Sequence, residues 1–173
     1  MAGTDDRGGK MEASPAIPTV GLGLPWEDTP VGFRFKTIGR TIFDADITAF
    51  IGVTGMVEVL FTNAEYLRER SLYEGRRLVP GALVYSFAEG LLMQSVVQGT
   101  GLAFLGMELS VEAPTFSGDT IHVECEVLES RPSAKPGRGV VKTRNRIVNQ
   151  RGACIMVYSP ARLVKGRESL GGL

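Results

Sequence analysis

The chain has 173 residues, enough for one domain with a full hydrophobic core. It is 43% hydrophobic and 22% charged, with nineteen basic residues against nineteen acidic ones, so its formal net charge is zero. That balance argues against nucleic acid or an anionic membrane as partner.

Residues 1–24 begin "MAGTDDRGGKMEASPAIP", a Gly-, Asp-, Ser- and Pro-containing stretch without the apolar core of a secretory signal. It reads as a disordered arm, followed by one domain over 25–173. "PWEDTPVG" is a turn-rich entry, and "FRFKTIGRTI" (Phe33–Ile42) alternates like a strand. "DADITAFIGVTG" reads as a short helix: Asp44 or Asp46 caps it, Ile47, Phe50 and Ile51 form its apolar stripe, and Gly55 stops it. Thr62 and Glu65, three residues apart, have the form of a capping box for the next helix.

The longest helix is expected from Gly81 to about Gln98, after Pro80. Leu83, Val84, Phe87, Ala88, Leu91 and Leu92 make it apolar nearly all round, so it is buried on most sides. Its longest apolar run is interrupted by Glu89 and is too short to span a bilayer. Beyond it the period changes to two. Ala103–Pro114, Asp119–Ser130, Gly139–Gln150 and Ala153–Val164 read as a four-strand meander. The economical way to bury such a helix is to wrap an antiparallel sheet around it, which makes the fold class α+β.

Cys125 and Cys154 lie in apolar strand-like runs, "HVECEV" and "ACIMVY", and read as buried thiols, or as a disulfide if the two strands pair closely. With no Cys-x-x-Cys spacing and only His122 as imidazole, a structural zinc site is not expected. His122 sits in an alternating strand, as a surface histidine would, and Asp119 follows Gly118 as a turn residue. A reducing, cytoplasmic compartment is the default expectation.

Four segments, covering about Gly32 to Lys165, together resemble the MaoC-like acyl-thioester dehydratases and (R)-specific enoyl-CoA hydratases of the hotdog fold. They are "DADITAFIGVTG", "VPGALVYSFAEGLL", "LSVEAPTFSGDTIHVECEV" and "RNRIVNQRGACIMVY". The resemblance implies an antiparallel sheet around one long central helix, a homodimer or higher homo-oligomer, and an acyl-CoA thioester as ligand. No metal or redox cofactor is implied, CoA being part of the substrate. The family's catalytic loop reads Gly-Asp-x-Asn-Pro-x-His. Here the matching run is "GMVEVLF", with Met56 in place of the Asp and Phe61 in place of the His.

The resemblance also implies that the Gly81 amide meets the thioester carbonyl. That role needs no side chain, only the free N–H groups of a helix start. Two glutamates are candidates for the missing acid and base. Glu58 lies in the loop itself. Glu89 sits on the buried helix one turn beyond Tyr85, where a carboxylate must be paired, protonated or open to a cavity. Glu89 is read either as a general acid or base, with Tyr85 beside it, or as a structural carboxylate at the dimer interface. Arg76 and Arg77, just before the long helix, are candidates for the CoA phosphates. The expected function is a hydratase or dehydratase-like lyase on enoyl-CoA or 3-hydroxyacyl-CoA. The alternatives are a hotdog thioesterase using a helix carboxylate, and a non-catalytic acyl-CoA-binding subunit beside a related MaoC-like chain.

Overall fold

The computed structural model describes residues 19–170, so most of the expected N-terminal arm, through residue 18, lies outside the described residues. Two short strands, β1 (Arg34–Lys36) and β2 (Arg40–Thr41), lead into α1 (Asp44–Thr54), α2 (Val59–Thr62) and α3 (Ala64–Glu69). The long helix α4 (Gly81–Leu92) continues as one π-helical stretch over Met93–Val97. Four long strands follow: β3 (Gly101–Val111), β4 (Thr120–Pro132), β5 (Arg138–Asn149) and β6 (Cys154–Lys165). The six strands form one antiparallel sheet in the order β1-β4-β5-β6-β3, with β2 also on β4. This is the α+β hotdog arrangement of a sheet around a helix.

The core explains the wrapping. Leu83, Val84, Ala88, Leu91 and Leu92 of α4 are buried against Ile121 and Val123 of β4, Ile147 of β5, and Met156 and Tyr158 of β6. Along β4, Ile121, Val123, Cys125 and Val127 alternate inward while His122, Glu124 and Glu126 face out. Period-two patterning therefore gives β4 to β6 one dry face each.

Several local expectations are corrected. The four strands after α4 are not a simple meander: β3 pairs with β6, leaving only β4-β5-β6 consecutive. The strand expected over Phe33–Ile42 is split in two. Neither Asp44 nor Asp46 is the N-cap of α1. Phe43 holds that position, and Asp46 accepts a bond from its backbone N–H at 2.8 Å, which satisfies one orphan donor from inside the first turn. The capping box on Thr62 is displaced by one residue. Asn63 caps α3 by accepting from Tyr66 N at 3.0 Å, and Thr62 Oγ1 donates back to the Glu58 carbonyl. Gly55 does end α1, in the left-handed conformation with φ 70°.

The segment before Trp26 is tied to the far end of α4. Gly23 N–H donates to Gln98 O at 2.7 Å and Leu24 N–H to Val96 O at 2.9 Å. A Cβ on Gly23 would lie 2.3 Å from Val96 O, so this approach requires glycine. Cys125 and Cys154 are both free, on strands that β5 separates.

Candidate functional site

Helix α4 begins where β-like backbone at Pro80 turns into helix. Leu83 N–H and Val84 N–H both donate to Pro80 O, at 2.9 and 3.2 Å. The amides of Gly81 and Ala82 have no partner among the described residues, and both residues are exposed. Gly81 lines a groove of about 420 Å³ whose walls include Tyr73, Val84, Val111, Glu112 and Met156. A carbonyl oxygen in that groove would meet free N–H groups and the positive end of a helix.

The loop of Met56 and Phe61 lies elsewhere on the chain. Phe61 packs partly buried against the core and lines a separate groove with Thr48, Ile51, Leu67 and Arg77. Glu58 is the N-cap of α2, its carboxylate accepting from Leu60 N–H at 2.6 Å. Arg77 is engaged with Thr48 Oγ1 at 3.0 Å and with Asp44 at 3.4 Å. Arg76 stacks on the Phe116 ring, 3.8 Å from its centroid, and stays exposed. His122 faces outward from β4, 3.7 Å from Glu124, as the strand pattern implies.

Glu89 is at the centre of an interior polar cluster. Nη2 of Arg162 lies 2.6 Å from both carboxylate oxygens, and Tyr158 O–H donates to Oε1 at 2.8 Å. The Arg162 and Glu89 side chains are 9% and 16% exposed, so the pair is largely withdrawn from water. Tyr85 packs edge-on to Tyr158, ring centroids 5.3 Å apart. Burial, and then the Glu89 charge, raise the hydroxyl pKa of both tyrosines above the ordinary value. Nearby, Thr143 Oγ1 and both polar atoms of the Asn145 side chain are buried without a partner among the described residues. Burial also pushes the Cys125 thiol up to about 12.

The structure therefore does not bring Gly81 and Glu89 together. Eight residues along an α-helix separate them by about 12 Å, and Glu89 is already bonded on the sheet side. Sequence reasoning missed Arg162 and Tyr158. The signal was present: both fall on the same alternation as buried Met156 and Val164 in "MVYSPARLV", and an arginine on a buried face implies a carboxylate opposite. It also missed Glu112, the carboxylate lining the Gly81 groove. Among the described residues, no three His, Cys, Asp or Glu side chains converge as metal ligands would. No described helix is long and apolar enough to cross a membrane.

Neither the protein-family models nor the curated proteins yield a match to this chain. Solved structures do. A MaoC-like dehydratase from Rhodospirillum rubrum is 32% identical with a TM-score of 0.74, over 84% of this chain and 99% of that one. The (R)-hydratase PhaJ1 of Pseudomonas aeruginosa is 25% identical with a TM-score of 0.68, over 83% and 86% of the two chains. A Mycobacterium tuberculosis protein described as having a double hotdog fold shares the fold at 21% identity and a TM-score of 0.75, over 86% of this chain and 46% of that one. By its 32% identity to the R. rubrum protein over 84% of this chain, the chain belongs to the MaoC-like dehydratase family.

Proposed function

We propose that this chain binds an acyl-CoA thioester with the carbonyl oxygen on the Gly81 and Ala82 amides, as a hydratase- or dehydratase-like protein. The observation that carries the reading is the pair of unpartnered amides at the start of α4, where Gly81 lines a groove of about 420 Å³. Developing negative charge on a thioester oxygen is stabilised there without any side chain.

The acid and base are the weaker part of this chain. Both positions of the family dyad are apolar, Glu58 is committed to the α2 cap, and Glu89 is committed to Arg162 and Tyr158. This favours a subunit that binds the thioester while a related MaoC-like chain supplies the proton transfers. The thioesterase reading needs a free Glu89 and is set aside on the same ground. The other reading, an acid/base set rebuilt on this chain, is favoured by Glu112, which shares the groove with Gly81.

Strand β3 fits an assembly of either kind. Its outer edge is unpaired among the described residues, and Leu102, Phe104, Leu105, Met107, Leu109 and Val111 are 40–59% exposed along it. An edge of this length and apolarity is normally covered. The test is to incubate the protein with crotonyl-CoA and 3-hydroxybutanoyl-CoA, alone and with a dyad-bearing MaoC-like subunit. Binding alone with turnover only in the mixture supports the two-subunit reading. Turnover alone that Glu112→Gln abolishes supports the rebuilt site. Failure to bind any acyl-CoA removes the proposal.

A further inference from the structure

Asp119 is a buried carboxylate, 4% exposed, that the proposed chemistry does not use. Its Oδ2 accepts Phe116 N–H at 2.9 Å, while its own N–H donates to Phe116 O at 3.0 Å, so side chain and backbone together close the turn over Phe116–Asp119. Gly118 N–H donates to Ile42 O at 2.8 Å and Ile42 N–H to Asp119 O at 2.9 Å, which fixes the same turn to the residue after β2. On its other side, Oδ1 receives Gln150 Nε2 at 2.8 Å and lies 3.2 Å from Arg151 Nη2, both from the turn between β5 and β6. A buried carboxylate with donors on both oxygens is a rigid anchor, because moving it leaves charge unpartnered.

What this turn holds is the approach to α4. Val79 N–H donates to Thr115 O at 2.9 Å and Ser117 N–H to Arg77 O at 3.0 Å, an isolated antiparallel bridge between Leu78 and Phe116. The bridge has no neighbouring ladder to support it, so its geometry depends on the turn that carries Thr115 and Ser117. Pro80 comes next, without an N–H and with φ held at −55° by its ring, and the Gly81 amide follows. A side-chain route runs beside the backbone one. Phe116 meets Tyr73 edge-on, ring centroids 5.7 Å apart, and Tyr73, Val79 and Thr115 all line the groove of Gly81.

We propose that Asp119 is a positioning residue for the thioester carbonyl: it holds the Thr115–Ser117 segment that sets the place of the Gly81 amide, without touching the substrate. This role rests on the carbonyl position proposed above. A donor acts on a carbonyl oxygen only within about 2.7–3.1 Å, so a shift of roughly 1 Å in the lead-in loses the hydrogen bond.

The test is isotope-edited infrared spectroscopy of bound butanoyl-CoA labelled with carbon-13 at the carbonyl, beside calorimetric titrations with butanoyl-CoA and with CoA. Hydrogen bonding to a carbonyl lowers its stretching frequency, and the wild type is expected to hold it below the frequency in water. Asp119→Ala is expected to lose most of that lowering and to bind butanoyl-CoA about tenfold more weakly, with CoA binding within about threefold of wild type. Asp119→Asn keeps an oxygen for Phe116 N–H and is expected to recover most of both. Val141→Ala, in a separate buried cluster with Val127 and Val164, is the destabilised control: its Tm falls and its carbonyl frequency stays at the wild-type value. Gln150 is exposed, so Gln150→Ala removes one bond to Asp119 from the surface and serves if Asp119→Ala does not fold. It is expected to lose part of the lowering and about threefold in butanoyl-CoA affinity. A folded Asp119→Ala, or in its absence Gln150→Ala, with wild-type frequency and affinity overturns the inference. So does a Val141→Ala protein that loses the lowering equally. A wild type that binds no butanoyl-CoA, or binds it without lowering the carbonyl frequency, refutes the carbonyl position itself and this role with it.

Discussion

Replacing Glu89 alone should damage the fold more than removing it together with Arg162. The carboxylate receives Nη2 of Arg162 at 2.6 Å and Tyr158 O–H at 2.8 Å, and the Arg162 side chain is only 9% exposed. Glu89→Leu leaves a buried guanidinium without its counter-charge, which costs about 3–5 kcal/mol. For a domain of this size that lowers Tm by roughly 6–20 °C. Arg162→Met should cost a similar amount, since it strands the carboxylate instead. In the double variant neither charge is buried. The remaining loss is the acceptor of Tyr158, which is 1% exposed, so the double variant should sit about 1–3 kcal/mol below wild type. The assay is urea unfolding of the four proteins as a double-mutant cycle. Strictly additive losses would refute the reasoning. So would a Glu89→Leu protein of wild-type stability whose turnover had fallen, because that result would make Glu89 a reacting group and not a structural one.

Two further outcomes follow from the interior and the edge. The Cys125 thiol is raised to about 12 by burial, and the Tyr85 and Tyr158 hydroxyls are raised as well. A group whose pKa is higher folded than unfolded gives up its stabilisation as pH climbs past the unfolded value. Stability should therefore fall above about pH 9, the ordinary value for the thiol, and Cys125→Val should flatten part of that limb in unfolding curves measured from pH 7 to 11. Leu105→Lys together with Leu109→Lys places charge on the free edge of β3. If that edge is an assembly surface, sedimentation should show the oligomer of the wild type reduced to monomer with little change in circular dichroism, whereas an unchanged oligomer would place the interface elsewhere.

What the sequence disclosed was local. The start of the long helix at Gly81 and its buried stripe, the alternation of β4 to β6 and the stop at Gly55 each follow from spacing within one segment, and each is observed. The misses needed long-range information. Placing β3 beside β6, with β4 and β5 beyond, is a pairing across some fifty residues that no local period encodes. The cap of α3 moved from Thr62 to Asn63 because either side chain can satisfy the orphan amides, and only the backbone geometry decides. For the site, Glu89 was recognised as a carboxylate in need of a partner, but its partner lies 73 residues away on β6. Met56 and Phe61 carry no chemical signal by themselves. Their meaning comes only from the family motif they interrupt.

The central claim is that an acyl thioester places its carbonyl on the first amides of α4, and Gly81 permits a test that removes one of those N–H donors. Proline is well tolerated at the first position of a helix and lacks the N–H. A Cβ at Gly81 has Met156 Cε as its nearest neighbour, at 3.9 Å, so alanine also fits. Butanoyl-CoA affinity is measured for wild type, Gly81→Ala and Gly81→Pro, with CoA alone as the control. Gly81→Ala should bind within about threefold of wild type, and Gly81→Pro about tenfold more weakly, the loss of one hydrogen bond, with Tm and CoA binding unchanged. A Gly81→Pro protein that is folded and binds butanoyl-CoA as wild type does would contradict the account.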